Sequence, residues 1–188
     1  MRAPIEMEDV PRPPQKVGTD LPIKEVEQAP ALPPVHLFQL EHVLAAMIRG
    51  GAWEAIVLCI ALTLAYSVMS FVHVQRSCLT HIGELVVWAR AYRGKSKKDG
   101  VRLPFRWALV RSGPIGVDFG KHLYDRWTYF SKKFGAPLQY LCFDDSNGTM
   151  LEQSHFIGVV QRVLKEYLPD PEPAKMITTY SFRRYAPT

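Results

Sequence analysis

From Ala55 to Val74 the chain reads AIVLCIALTLAYSVMSFVHV without a charged side chain, and the other patterned segments are arranged around this run. A helix apolar on all sides is either the buried centre of a domain or a membrane span, and about twenty apolar residues suffice to cross a bilayer. Upstream, VHLFQLEHVLAAMIRGG carries Leu37, Leu40, Val43, Leu44 and Met47 at spacings of three and four. That period gives a helix one apolar face, and Gly50-Gly51 stops it.

After Val74 the chain turns polar at Gln75-Arg76-Ser77. Leu85 to Tyr92 is rich in β-branched and aromatic residues and predicts a strand, and Val101 to Trp107 predicts a returning one. Arg93 to Gly100 joins them as a β-hairpin with a strongly basic tip, and Pro104 confines the second strand to an edge. Asp118 caps a predicted helix running through His122, Leu123, Trp127, Phe130 and Phe134, which Gly135 and Pro137 end. Leu138 to Phe143 reads as a short strand leading to an Asn147-Gly148 turn. Met150 to Leu168 then repeats the helical period, with Leu151, Phe156, Val159, Val160, Val163 and Leu164 on one face. Pro169-Asp170-Pro171-Glu172-Pro173 ends it, and Met176 to Thr188 closes the chain. These elements predict an α+β, mainly helical fold.

Composition sharpens the edges of this picture. Residues 1–34 hold eight of the fifteen prolines and few apolar side chains, so they cannot offset the entropy of ordering and are expected to form a disordered tail. With acidic residues and no apolar core, the segment does not resemble a signal peptide. The net charge is +5 and uneven: up to Val74 there are five Lys/Arg against eight Asp/Glu, and beyond it eighteen against ten. In a membrane protein this asymmetry places the C-terminal half on the cytoplasmic or matrix side; in a globular one it points to a polyanion.

Cys59, Cys78 and Cys142 follow neither a zinc nor a disulfide spacing and are expected as buried thiols. His36, His42, His73, His81, His122 and His155 are scattered as structural side chains are, so no metal and no cofactor is expected. Asn147-Gly148-Thr149 matches a glycosylation acceptor, but Asp-Asp-Ser-Asn-Gly is first of all turn chemistry. No phosphate-cradling glycine loop and no internal repeat is present.

Two basic constellations remain, at 93–106 and at Arg183-Arg184. Gly94-Lys95-Ser96-Lys97-Lys98, followed by Arg102 and Leu103-Pro104, is similar to the glycine–lysine hairpin of tyrosine recombinases and phage-type integrases. Tyr180-Ser181-Phe182-Arg183-Arg184 resembles that family's His-x-x-Arg box, with tyrosine at the histidine place. Between them, a short strand ending in Phe-Asp, an Asn-Gly turn and a helix beginning Met-Leu-Glu-Gln follow the family's order, and the apolar run corresponds to its buried helix. The combination resembles the divergent recombinases of eukaryotic mobile elements over about residues 36–188.

The resemblance implies DNA as the partner, self-association on it, a nuclear or otherwise DNA-associated place in the cell, and strand cleavage and rejoining as the family's chemistry. A phosphodiester gains negative charge in the transition state, and arginine forks stabilise it. By the resemblance Lys95 is the general acid, Arg183 the second phosphate clamp and Tyr180 a hydrogen-bond donor, while Arg93, Lys97, Lys98, Arg102 and Arg184 meet the DNA backbone. The domain division is a tail over 1–34 and a recombinase-like catalytic domain over 35–188, incomplete at its C-terminus.

Three departures argue against cleavage. The family's first arginine follows its buried helix in a Gly-Leu-Arg setting, where this chain has Ser67-Val68-Met69, and Arg76 lies about two helical turns later. The family's nucleophilic tyrosine lies in a helix well past the box, whereas Tyr185 sits too close to Arg183. The family's N-terminal DNA-clamping domain is replaced by the proline-rich tail. The expectation is a fragment or decayed copy that does not cut DNA. The alternative is a single-pass membrane protein, an accessory subunit of a membrane complex, with residues 53–74 as the span.

Overall fold

A computed structural model of the chain describes residues 29–92, 97–98, 101–102, 105–135, 137–144, 147–167 and 172–183. Helix α1 (Pro34–Gly50) begins with proline, whose missing N–H is no loss in a first turn, and ends where Gly51 takes a left-handed φ of 69°. Helix α2 (Ala55–Tyr66) follows, with every residue from Ala55 to Ala65 buried. Its one polar interior side chain, Thr63, donates to the carbonyl of Cys59 at 2.8 Å, so no hydroxyl is stranded among the apolar neighbours. α2 packs against α1 and four later helices and is the centre of the molecule.

The apolar run is therefore not one helix. α2 stops at Ser67, Val68 adopts φ 53°, and the chain restarts as the short helix α3 (Phe71–Gln75). At 12 residues α2 is about 18 Å long, against about 30 Å of hydrocarbon in a bilayer. No helix among the described residues is long and apolar enough to cross a membrane.

Strands β1 (Ser77–Ile82), β2 (Val86–Ala91) and β5 (Phe105–Val110) form an antiparallel sheet in the order β1-β2-β5. Sequence reading places β2, and of β5, which lies at an edge, it places Phe105 to Trp107. β5 runs on to Val110, the expected Val101-Arg102 start belongs to a separate ladder, and β1 is an element it does not predict. The pairing of β1 slips between Leu79 and His81, a bulge that breaks the alternation by which a strand is recognised. Val87, Ala89, Ala91, Trp107 and Leu109 form the buried inner face against the helices. Trp107 donates its indole N–H to Oγ of Ser77 at 3.1 Å. Between β2 and β5 the backbone forms a second two-stranded ladder, β3 (Lys97–Lys98) with β4 (Val101–Arg102), pairing Lys97 with Arg102.

Helix α4 (Phe119–Lys133) starts at Asp118, whose carboxylate accepts from the backbone N–H of Lys121 at 3.1 Å and pairs with Arg111. The same guanidinium donates to the carbonyls of Gly83 and Glu84, tying the β1–β2 turn to the start of α4. Leu138 to Phe143 is not the expected strand: it has one bridge, Phe143 to Met150, and spends its apolar residues on the core. Helix α5 (Gln153–Tyr167) begins later than Met150, and α6 (Glu172–Lys175) and α7 (Thr179–Arg183) follow.

The proline-rich segment lies outside the described residues up to 28, but its last part is packed. Leu32 is buried, and its N–H donates to the carbonyl of Ser181 in α7 at 3.2 Å. Cys59, Cys78 and Cys142 are buried, and burial pushes the Cys142 thiol far above the ordinary range.

Candidate nucleic-acid interface

Three aromatic rings set the geometry. Phe71 of α3 packs on Phe156 of α5 with ring centroids 5.0 Å apart, and Phe156 packs on Phe182 of α7 at 6.2 Å. All three are buried, so α3, α5 and α7 are held at fixed spacing by apolar contact. Above these rings the three elements leave a small cleft lined by Ser70, Phe71, Val72, Gln153, Thr179, Tyr180 and Arg183, with a volume of about 60 Å³.

The box at 180–183 works by helical spacing. Thr179, Ser181 and Phe182 turn inward and are buried, while Tyr180 and Arg183 are exposed. Residues three apart share a helix face, so the phenol and the guanidinium stand side by side over the cleft. The inward residues are pinned: Ser181 Oγ accepts from the N–H of Thr178 at 3.1 Å, and Gln153 donates through Nε2 to Thr179 Oγ1 at 3.0 Å. On the opposite wall Ser70 is extended at φ −83°, ψ 149°, and its hydroxyl lies 2.8 Å from Nδ1 of His73. That bond joins the N-cap residue to a side chain three positions on, within the first turn of α3, and satisfies no backbone N–H of the helix.

The cleft is a set of donors. Three hydroxyls, a side-chain amide and one guanidinium line it, and Arg183 is its only charged lining residue among the described ones. An arginine fork with hydroxyls around it suits the oxygens of a tetrahedral anion. No group of three or more His, Cys, Asp or Glu among the described residues is placed to hold a metal. A broader hollow of about 490 Å³ beside Phe134 and Tyr140 contains none of the residues singled out from sequence.

Of those residues, the structure brings together Tyr180 and Arg183. Lys95, Arg93 and Arg184 lie outside the described residues, as do the side chains of Lys97, Lys98 and Arg102, whose backbone forms the β3–β4 ladder. Arg76 is exposed at the end of α3 and does not line the cleft; its carbonyl accepts from the N–H of Tyr92 at 2.9 Å. Met69 is half-buried against the core. Ser70, Gln153 and Thr179 were not singled out, and single serines, threonines and glutamines carry no signal of their own in one sequence. Against protein-family models, curated proteins and solved structures, the chain finds no match.

Proposed function

We propose that this chain is a DNA-binding domain of the tyrosine-recombinase type, derived from a mobile element, which grips duplex DNA in the nucleus without cutting it. One observation carries the reading. Tyr180 and Arg183, the two ends of the box, share a cleft with Ser70, just past the buried helix, although about a hundred residues separate them in sequence. In the recombinase family these are the two segments that hold the phosphate, and a donor-lined cleft of about 60 Å³ has room for a single phosphoryl group. The β3–β4 ladder supplies the backbone of a basic hairpin at the expected place in the chain.

The reading without cutting is supported by the same cleft. Glycine is the residue favoured where φ is positive, and in this turn the positive φ belongs to Val68. Aligned on that residue, the arginine place falls on Ser70 rather than Met69, and the cleft holds one guanidinium where the family's chemistry uses two. The transition-state charge is then stabilised by one fork fewer, and each lost donor of this kind costs about 10²–10³ in rate.

The test is retention on nonspecific duplex DNA across a salt series. Binding is expected to weaken steeply with salt and to be abolished by changing Lys95, Lys97 and Lys98 together to glutamate. An affinity indifferent to salt, or none, overturns the reading. A covalent protein–DNA adduct trapped on a nicked duplex overturns the absence of cutting.

A further inference from the structure

We propose that the solvent-facing side of the β1-β2-β5 sheet is a second binding surface, for single-stranded nucleic acid. Alternation on the central strand β2 sends Val87, Ala89 and Ala91 into the core, each fully buried. Trp88, Arg90 and Tyr92 therefore step along the outer face at intervals of about 7 Å. Trp88 is 44% and Tyr92 45% exposed. Arg106 of β5 stands directly opposite Arg90 in the ladder. Side chains so paired have Cβ atoms about 5 Å apart, and like charges there oppose sheet formation. No ion pair among the described residues relieves either arginine.

The strip is held in place. The hydroxyl of Tyr92 lies 3.1 Å from Sγ of Cys78, and Thr80 donates to the carbonyl of Trp88 at 3.2 Å. Helices α2 and α4 contact the sheet on its inner side; on the outer side Cys78, opposite Arg90 in the ladder, is buried as well. The outer side thus presents an aromatic ring, a guanidinium and a second aromatic ring in line, with another guanidinium beside the middle one.

This pattern selects its partner. Aromatic rings interleaved with arginines on a flat sheet stack unpaired bases and neutralise the phosphates between them. A duplex keeps its bases within the stack, out of reach of Trp88 and Tyr92. An acidic peptide would satisfy the two arginines and leave both rings without a role. The surface is separate from the cleft and does not depend on the duplex-binding reading.

Trp88 is the most exposed of the four tryptophans and reports directly. The full chain is titrated with a labelled deoxythymidine oligonucleotide, following anisotropy and intrinsic fluorescence. Binding is expected to quench the tryptophan signal. Trp88→Phe should abolish most of the quench and hold affinity within about threefold, while Trp88→Ala weakens binding about tenfold or more. Arg90→Gln with Arg106→Gln should lower the salt slope by about 1.4, two phosphate contacts' worth, with an unchanged or raised melting temperature. Arg183→Ala should leave single-strand binding unaltered. Failure of the oligonucleotide to bind, affinity indifferent to Trp88→Ala, or equal competition by polyglutamate without quenching each overturns the proposal, the last by making the face a site for acidic peptide.

Discussion

Gln153 donates through Nε2 to Oγ1 of Thr179 at 3.0 Å, which locks the first residue of α5 to the first residue of α7 across the cleft. Thr179 is buried and Gln153 is exposed. The threonine hydroxyl therefore loses this donor if the amide is withdrawn, whereas the amide can turn to water. Thr179→Val should lower stability by about 1 kcal/mol, one net hydrogen bond. The urea midpoint should fall without a change in slope, and Thr179→Ser should restore most of it. If Thr179→Val leaves the midpoint where it was, the bond does not hold α7.

A second relationship joins α1 to the end of α2. Glu41 is fully buried and accepts a hydrogen bond from the Tyr66 hydroxyl. Desolvation holds its carboxyl above the ordinary carboxylate range, although that bond and the neighbouring His42 pull the other way. A carboxyl whose pKa rises on folding is favoured in its protonated form by the folded state. Its contribution is full below the ordinary carboxylate pKa and is lost as pH climbs through the raised value. Glu41→Gln keeps an acceptor for Tyr66 and removes the titration. The variant should gain on the native chain as pH rises from the acid range toward neutrality, measured by denaturant unfolding at a series of pH values. A constant difference between the two would show that Glu41 does not titrate differently on folding.

Much of this fold is legible in the sequence, and the exceptions have physical causes. α1, α4 and α5 each bury one face, so period and burial agree, and Asp118 and Gly51 sit where caps are read from composition. β1 is hidden by its bulge between Leu79 and His81. The break at Ser67 to Ser70 is hidden because the left-handed residue is valine rather than the glycine that marks such turns. Tyr180 and Arg183 were legible as a pair through their spacing of three. The wall facing them was not, since nothing local to Ser70 shows that α3 and α7 meet on the ring of Phe156.

Val68 itself gives a third prediction. A β-branched side chain at φ 53° is strained by about 1–3 kcal/mol, and Val68 is 45% exposed, so little packing is lost with it. Glycine costs about 0.5–1 kcal/mol of chain entropy. Val68→Gly should therefore stabilise the protein by about 1 kcal/mol and raise its melting temperature by a few degrees. Val68→Ala keeps a Cβ in the same place and should not. A loss of stability in Val68→Gly would mean that the left-handed turn carries no strain.

The same turn separates Met69 from Ser70 as the place of the missing arginine. Met69 packs against the core, and a guanidinium there must be desolvated or must displace its neighbours. Ser70 lines the cleft that Arg183 lines from the other wall. Ser70→Arg gives up the bond to His73, a loss of about 0.5–1.5 kcal/mol for one net hydrogen bond, and puts a second fork beside the first. On the duplex-binding reading, affinity should rise and the salt slope should steepen by about 0.9, one further phosphate contact. Arg183→Ala should flatten it by the same amount. Met69→Arg should lower stability and leave the slope as it is. The three variants are compared by duplex anisotropy over a salt series, with melting temperature alongside. If Met69→Arg steepens the slope and Ser70→Arg does not, the register set by Val68 is wrong by one residue, and the cleft between α3 and α7 is not where the phosphate sits.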